Sequence, residues 1–341
     1  MKDLISVNII NFNNKDTIIP AIKSAISQTY KNIEILIMDN NSEDGSLEMI
    51  KKFIKANHSV PIKLMENKEN LGFAKAHNLG IKICNGEFIL CLNSDAILSP
   101  NYIENAIKLF SNPKVGAVQG KLLKYDFFEN KPKKINNYNI IDTTGLVMLK
   151  NRRIINRGQG EPDKNQYQKI EEIFGPDGAA PIYRKSTLDD VAINGEYFDE
   201  DFFCYKEDVD LAWRMRLFGW KTIYCPSCIA FHSRGAGESA KVSYINIIKE
   251  RRKIKSLPKY WSFKNQRLMQ IKNEIPLLFL RHFPYWAIKE IGSWLYILFF
   301  ETYTLKAIKE LIAQFPNTLK KRQIIMKNKR VNWREMEKWF K

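Results

Sequence analysis

The sequence predicts an α/β fold: a mostly parallel sheet flanked by helices, followed by a helical, basic C-terminal region. Three observations predict it. Short apolar runs rich in β-branched residues alternate with helical patterns through the first hundred residues, each run ends in a polar loop, and charge is divided unevenly along the chain. Of 54 Lys and Arg and 37 Asp and Glu, residues 1–240 hold 31 and 30, whereas residues 241–341 hold 23 and 7. The formal charge of +17 thus belongs almost wholly to the tail. At 341 residues the chain is long for one compact unit. The expected division is a larger domain over 1–240 and a helical region over 241–341, joined near Gly235 to Lys241.

The first run, Leu4 to Ile10, leads through Asn11-Phe12-Asn13-Asn14 into a helical pattern from Thr17 to Ser27. The second, Ile33 to Met38, leads through Asp39-Asn40-Asn41-Ser42 into a helix ending at Ala56, and the third, Ile62 to Met65, into a helix from Gly72 to Cys84. Glu87 to Leu92 then ends at Asn93-Ser94-Asp95. Ligands of parallel sheets sit beyond the carboxyl ends of the strands, so these polar loops are expected to converge on one site. Residues 121–176 break the rhythm and read as irregular strands and a mobile acceptor-side loop. A helix follows from Asp208 to Phe218, with Gly219 as its C-cap. Beyond 240 come helical pieces punctuated by Pro258, Pro276, Pro284 and Pro316.

Five cysteines make an odd count, and the N-terminus lacks the long apolar stretch of a signal peptide, so a reducing cytoplasm is expected. Cys225-Pro-Ser-Cys228 has the spacing of half a zinc site, but no second pair completes it, and it reads as a turn between short strands. No apolar run reaches the roughly 20 residues that cross a bilayer. Ile291 to Phe300 is about half that length by the same measure, and Arg281, Lys289 and Glu290 interrupt its surroundings. A chain of this kind lies on a membrane more readily than it spans one.

Asp95 closes a strand end and suits a hard divalent ion that neutralises a diphosphate, although Asn-Ser-Asp also makes Asx turns. Asp39 either accepts a hydrogen bond from a base N–H or starts the loop before the next helix. Gly72 at a helix start lets backbone approach a phosphorylated ligand, or belongs to a simple cap with Phe73 in the core. Lys206-Glu207-Asp208-Val209-Asp210 puts three carboxylates at a helix start, where they cap it or supply a general base. His232 is a core histidine or a third metal ligand.

Taken in order, these motifs, with Gly178-Ala179-Ala180, Arg214 and Gly219-Trp220, resemble glycosyltransferase family 2 and its GT-A nucleotide-sugar-binding fold over about residues 4 to 235. The resemblance implies that Asn11, Phe12 and Asn13 line base and ribose, that Asp39 reads a pyrimidine, and that Asn70, Gly72 and Phe73 border the sugar diphosphate. It implies Asn93, Ser94 and Asp95 as a D-x-D-like motif, with Asp95 and His232 on Mg²⁺ or Mn²⁺ and Gly178, Ala179 and Ala180 supporting the sugar. Asp208 would be the base of an inverting displacement, with Glu207 beside it. Lys264-Asn265-Gln266-Arg267 and Lys272-Asn273-Glu274-Ile275-Pro276 resemble the tail of bacterial rhamnosyltransferase-like members, although Lys264 stands where an Arg is usual. That likeness implies dTDP-L-rhamnose, or another dTDP- or UDP-sugar, as donor and a saccharide or polyprenyl-diphosphate-linked acceptor.

The basic tail has three candidate partners. Residues such as Arg251, Arg252, Lys253, Lys255, Lys320, Lys321 and Arg322 suit an anionic membrane surface, which places the enzyme peripherally on the inner, cytoplasmic face of the cell membrane. Packing of Ile291 to Phe300 on the catalytic domain or in a homo-oligomer is the structural alternative. Tyr260, Trp261, Phe263, Trp286 and Trp294 motivate nucleic acid, but apolar faces beside the charge fit an interfacial helix better, so no nucleic acid is expected. A glycosidase with paired carboxylates is a third function, and it would need no nucleotide.

Overall fold

The computed structural model describes residues 3–57, 59–234 and 244–341. The expected joint near Gly235 to Lys241 lies outside the described residues. Four parallel strands come first: β1 (Ile5–Asn11), β2 (Ile33–Asp39), β3 (Ile62–Glu66) and β4 (Phe88–Asn93), in the spatial order β3-β2-β1-β4. Between them run α1 (Ile18–Ile26), α2 (Ser46–Ala56) and α3 (Gly72–Ile83). β1 is buried along almost its whole length, as a central strand covered on both faces must be. Its register pairs Asn11 with Asp39, so the polar loops after β1 and β2 start side by side.

The sheet continues through Ile182–Arg184, antiparallel to both β4 and Val115–Asp126, and then through Lys221–His232, parallel to Val115–Asp126. Ile182–Arg184 is reversed in the middle and short antiparallel strands join one end, so the sheet is mixed, with its long strands parallel. Residues 131–173 form seven strands of two or three residues each, as the irregular sequence there suggested. The reading of Cys225 to Cys228 as a turn between short strands is corrected. Lys221–His232 is one strand, and its register jumps from Cys225 opposite Gly120 to Ile229 opposite Lys121, so Pro226 to Cys228 form a bulge. The bulge buries both thiols, with Cys228 Sγ 2.7 Å from Cys225 Sγ.

The tail helices Ser256–Asn273, Pro276–Phe300 and Ala307–Asn328 pack on one side of this domain. Leu268, Met269, Ile275, Leu278, Ile325 and Phe340 join the same apolar cluster as Leu36, Tyr183 and Trp213, so tail and domain share a core. Charge fastens the contact. Lys272, fully buried, meets Asp199 and, at 2.9 Å, Asp210; Lys321 meets Asp199 at 2.5 Å and Glu196 and Asp201 at 3.0 Å. Each buried cation is matched by carboxylates of the domain, the condition under which such burial is tolerated.

This corrects part of the tail's expected role. Lys321 is buried among carboxylates, Arg251 is paired with Glu301 at 2.6 Å, and Arg322 is half-buried with its guanidinium on the Ile271 carbonyl, so none of the three is a free lipid contact. The aromatics are likewise engaged internally. Trp261 packs on Phe203, Phe263 and Trp294 flank Arg267, and the Trp286 indole N–H donates to Gln270.

Candidate active site

At the carboxyl ends of β1 and β2, the Asn11 amide donates to Asp39 Oδ1 at 2.7 Å and to Ser46 Oγ at 2.9 Å. Asp39 Oδ2 accepts the Ser42 N–H at 2.9 Å, and Asn13 Oδ1 accepts the Glu43 N–H at 2.8 Å. Asn11 and Asp39 are buried and organise the loop, whereas Phe12, 41% exposed, and Asn13 present the open surface. Of the two readings of Asp39, these contacts are those of a loop start.

Asn70 Oδ1 accepts the Gly72 N–H at 2.9 Å, which is an Asx turn into α3. Gly72 has φ +74°, and a Cβ there would stand 2.6 Å from Phe203. Close backbone approach is thus what Gly72 permits, but the approaching group is protein, the loop before Glu207–Leu217. The Phe203 carbonyl accepts N–H groups from Phe73 at 2.7 Å and Ala74 at 3.2 Å, so this loop also caps α3. Phe203, Tyr205 and Lys206 all hold positive φ. The fully buried Asn265 stabilises that strained path, its amide donating to the carbonyls of Phe202 at 2.9 Å, Cys204 at 2.9 Å and Tyr205 at 2.7 Å.

Asp208 follows immediately. Its Oδ2 accepts the Gly178 N–H at 3.1 Å and its Oδ1 the Val209 N–H at 2.7 Å. Burial and the nearby Asp177 carboxylate push its pKa up to about 6, which suits a proton acceptor working near neutrality. Glu207 is different. It is buried, its Oε2 has no hydrogen-bond partner among the described residues, and burial together with Asp208 raises its pKa well above the carboxylate range. Burial and the neighbouring Asp208 thus both favour the neutral form of Glu207. Asp210 is locked between Arg214, Lys272 and Asn273.

The Asn93 N–H donates to the Ala179 carbonyl at 2.8 Å, which sets the Asn93-Ser94-Asp95 turn beside Gly178, the partner of Asp208. Ala179 and Ala180 are buried beneath, and of the three small residues only Gly178 is accessible. Asp95 Oδ1 lies 3.3 Å from His232 Nε2, while His232 Nδ1 bonds Asp142 Oδ2 at 2.9 Å. Burial opposes charge on His232, but Asp95 and Asp142 outweigh it and push its pKa up to about 10. Arg234 closes the chain, donating to Asp142 at 2.8 Å and to Asp177 at 2.7 Å.

Among the described residues no group of three or more His, Cys, Asp or Glu side chains surrounds a metal position. Asp95 and His232 face each other and supply two donors once the ring gives up the proton that the carboxylates favour, with Asp142 behind the imidazole as second-sphere carboxylates stand. Two protein ligands fit Mg²⁺ or Mn²⁺ held jointly with a diphosphate, because such ions take most other ligands from phosphate and water.

The profile described as Glycosyl transferase family 2 matches residues 6–190, more than half of the chain. The chain belongs to this family. It is 33% identical over 204 residues to glycosyltransferase GlyG of Streptococcus pneumoniae, covering 59% of this chain and 64% of GlyG. It is 28% identical over 223 residues to the poly-β-1,6-N-acetyl-D-glucosamine synthase of Staphylococcus epidermidis, covering 64% of this chain and 47% of the synthase. A third relative is the Escherichia coli UDP-Glc:α-D-GlcNAc-diphosphoundecaprenol β-1,3-glucosyltransferase WfaP, 41% identical over 113 residues, which are 33% of this chain and 43% of WfaP. The chain thus spans from under half to under two thirds of these curated relatives. The fold matches GalNAc-T7 bound to UDP, GalNAc and Mn²⁺ (TM-score 0.56, 12% identity, 82% of this chain and 54% of that one). It also matches a Pyrobaculum calidifontis mannosyltransferase bound to GDP-Man and Mn²⁺ (TM-score 0.50, 17% identity, 94% and 88%).

Within this family 2 domain, sequence reasoning missed Asp142, Asp177, Arg234 and the role of Asn265. Arg234 stands two residues after His232, and Asp177 just before Gly178, so nearness to a named motif was the available signal. Asp142 lies in the irregular 121–176 stretch, where no periodicity pointed to it.

Proposed function

We propose that the protein is an inverting, divalent-metal-dependent glycosyltransferase that moves a sugar from a nucleoside diphosphate donor to a hydroxyl of a saccharide or polyprenyl-diphosphate-linked acceptor in cell-surface polysaccharide synthesis. One observation carries the reading: Asp208, with its pKa near 6, and the Asp95–His232 pair are joined through Gly178 and Ala179 at one end of the sheet. The acceptor hydroxyl gives its proton to Asp208 as its oxygen bonds to the anomeric carbon. The anomeric C–O bond breaks on the opposite face, and its electron pair leaves on the nucleoside diphosphate. A bound Mg²⁺ or Mn²⁺ supplies charge neutralisation to that leaving group. Asp95 and His232 would hold the ion, Asp142 keeps the imidazole oriented, and Phe12 and Asn13 offer the surface for the base.

The donor proposed from the sequence is dTDP-L-rhamnose, with UDP-sugars as the competing class. The tail residues behind the rhamnose reading brace the loop before Asp208 and touch none of the donor-side residues named above, so they give this choice no geometric support. WfaP, named for UDP-Glc, favours UDP. A panel of UDP-, dTDP- and GDP-sugars tested for Mn²⁺-dependent hydrolysis and transfer decides it. Turnover of one class supports the proposal; stability of every donor, with no thermal shift from any nucleotide, overturns it and reopens the glycosidase reading.

A further inference from the structure

The helix Pro276–Phe300 is inside out for a water-exposed surface. Its buried side carries His282 and Glu290 along with Leu278 and Ile297, and Glu290 pairs with Arg267 at 2.6 Å. Its outward side is apolar. Leu280, Pro284, Ile288, Ile291, Leu295 and Leu298 recur at spacings of three and four, all exposed, and Phe299 beyond them is 74% exposed. Arg281 is the one charged residue of this helix that is exposed.

The rim of this face is cationic at its C-terminal end, whereas at the N-terminal end Arg281 is paired with Glu337 at 2.6 Å. At its C-terminal end Arg251 reaches Glu301 at 2.6 Å and lies 6.0 Å from the Tyr296 ring, which brings the exposed Arg252, Lys253 and Lys255 alongside. Lys306, also exposed, follows. Among the described tail side chains the exposed acids are only Glu310 and Glu335. A second copy docked on this face would set like charges against each other, whereas an anionic bilayer complements both the apolar stripe and its cationic rim. No described helix is long and apolar enough to cross a membrane, and an apolar stripe along one face suits a helix lying in the plane.

We infer that the outward face of Pro276–Phe300 is a membrane-interface helix that seats the protein on anionic lipid, with Ile288 to Phe299 in the headgroup–acyl boundary. This deepens the sequence expectation of a peripheral protein by naming the element, and it stands independently of the donor and of the catalytic reading. The full chain is floated with vesicles of phosphatidylcholine alone or of phosphatidylcholine with phosphatidylglycerol, at low and high salt. The protein rises with the anionic vesicles only, and less so in high salt. The double variant Ile291→Asp/Leu295→Asp keeps its circular dichroism and melting temperature, because both positions are exposed, and loses partitioning by about tenfold or more. Failure to float at low salt, or unchanged flotation of the variant, overturns the inference. So does a concentration-dependent dimer in sedimentation velocity that the same substitutions dissolve, because the face is then a contact between copies.

Discussion

The side-chain amide of Asn265 donates to the Tyr205 carbonyl at 2.7 Å, and through that bond a tail helix holds the loop that delivers Asp208. Tyr205 and Lys206 lie at φ +72° and +77°, so the loop needs an external brace to stay there. Asn265→Ala leaves buried carbonyls unpaired and is expected to destabilise the fold by ~1–3 kcal/mol. It is also expected to lower kcat by ~10–100-fold through misplacement of the base. Asn265→Asp, which keeps the shape without N–H donors, should rescue neither. Thermal melts and steady-state kinetics at saturating donor check this; a variant with lower stability but normal kcat would leave Asn265 structural only.

Activity should fall on the acid side. A base must be ionised, and burial with Asp177 raises the Asp208 pKa to about 6, so kcat is expected to rise as pH increases through that value and then level off. A pH–rate profile at saturating metal and donor measures it. An acid limb near the ordinary Asp value would show that Asp208 is not the titrating group.

Lys272→Met should destabilise the protein by ~1–3 kcal/mol, because it removes one of two cations from each of the buried Asp199 and Asp210, which keep Lys321 and Arg214. The carboxyl of Asp199 is opposed by burial but held well below its ordinary range by Lys272 and Lys321. Its stabilising contribution is therefore present above the unfolded Asp value and is lost as pH falls through the depressed one. Urea unfolding between acid and neutral pH should show a smaller acid-side slope in the variant. Unchanged stability would mean that tail docking depends on apolar contacts alone.

Sequence pattern located the first four strands, the helices between them and the Asp208 helix to within about two residues, the ordinary uncertainty of element ends. Leu4 to Ile10 proved to be Ile5–Asn11, and the Asp208 helix begins at Glu207. Those elements are periodic, and periodicity is what a single sequence displays. Two things were hidden for the same physical reason. Lys272 and Lys321 counted as basic excess because pairing with Asp199, Asp201 and Asp210 across more than fifty residues leaves no local mark. Asp142 reaches His232 across 90 positions of sequence from a strand of three residues, too short to carry a pattern.

Removing divalent metal should abolish transfer. In calorimetric titration of Mn²⁺ with UDP present, Asp95→Ala and His232→Ala should lose binding. Asp142→Asn, which alters only the group behind the imidazole, should weaken it by ~10–100-fold. Equal Mn²⁺ affinity in all three variants would place the ion elsewhere.

The account rests most heavily on Asp208 as the group that takes the acceptor proton. The direct measurement pairs nucleotide binding with transfer in Asp208→Asn, using whichever donor the wild-type protein turns over. Donor affinity within about twofold of wild type, together with transfer reduced by about 10²-fold or more, is the expected result. Near-normal transfer in a variant that binds donor normally would contradict it.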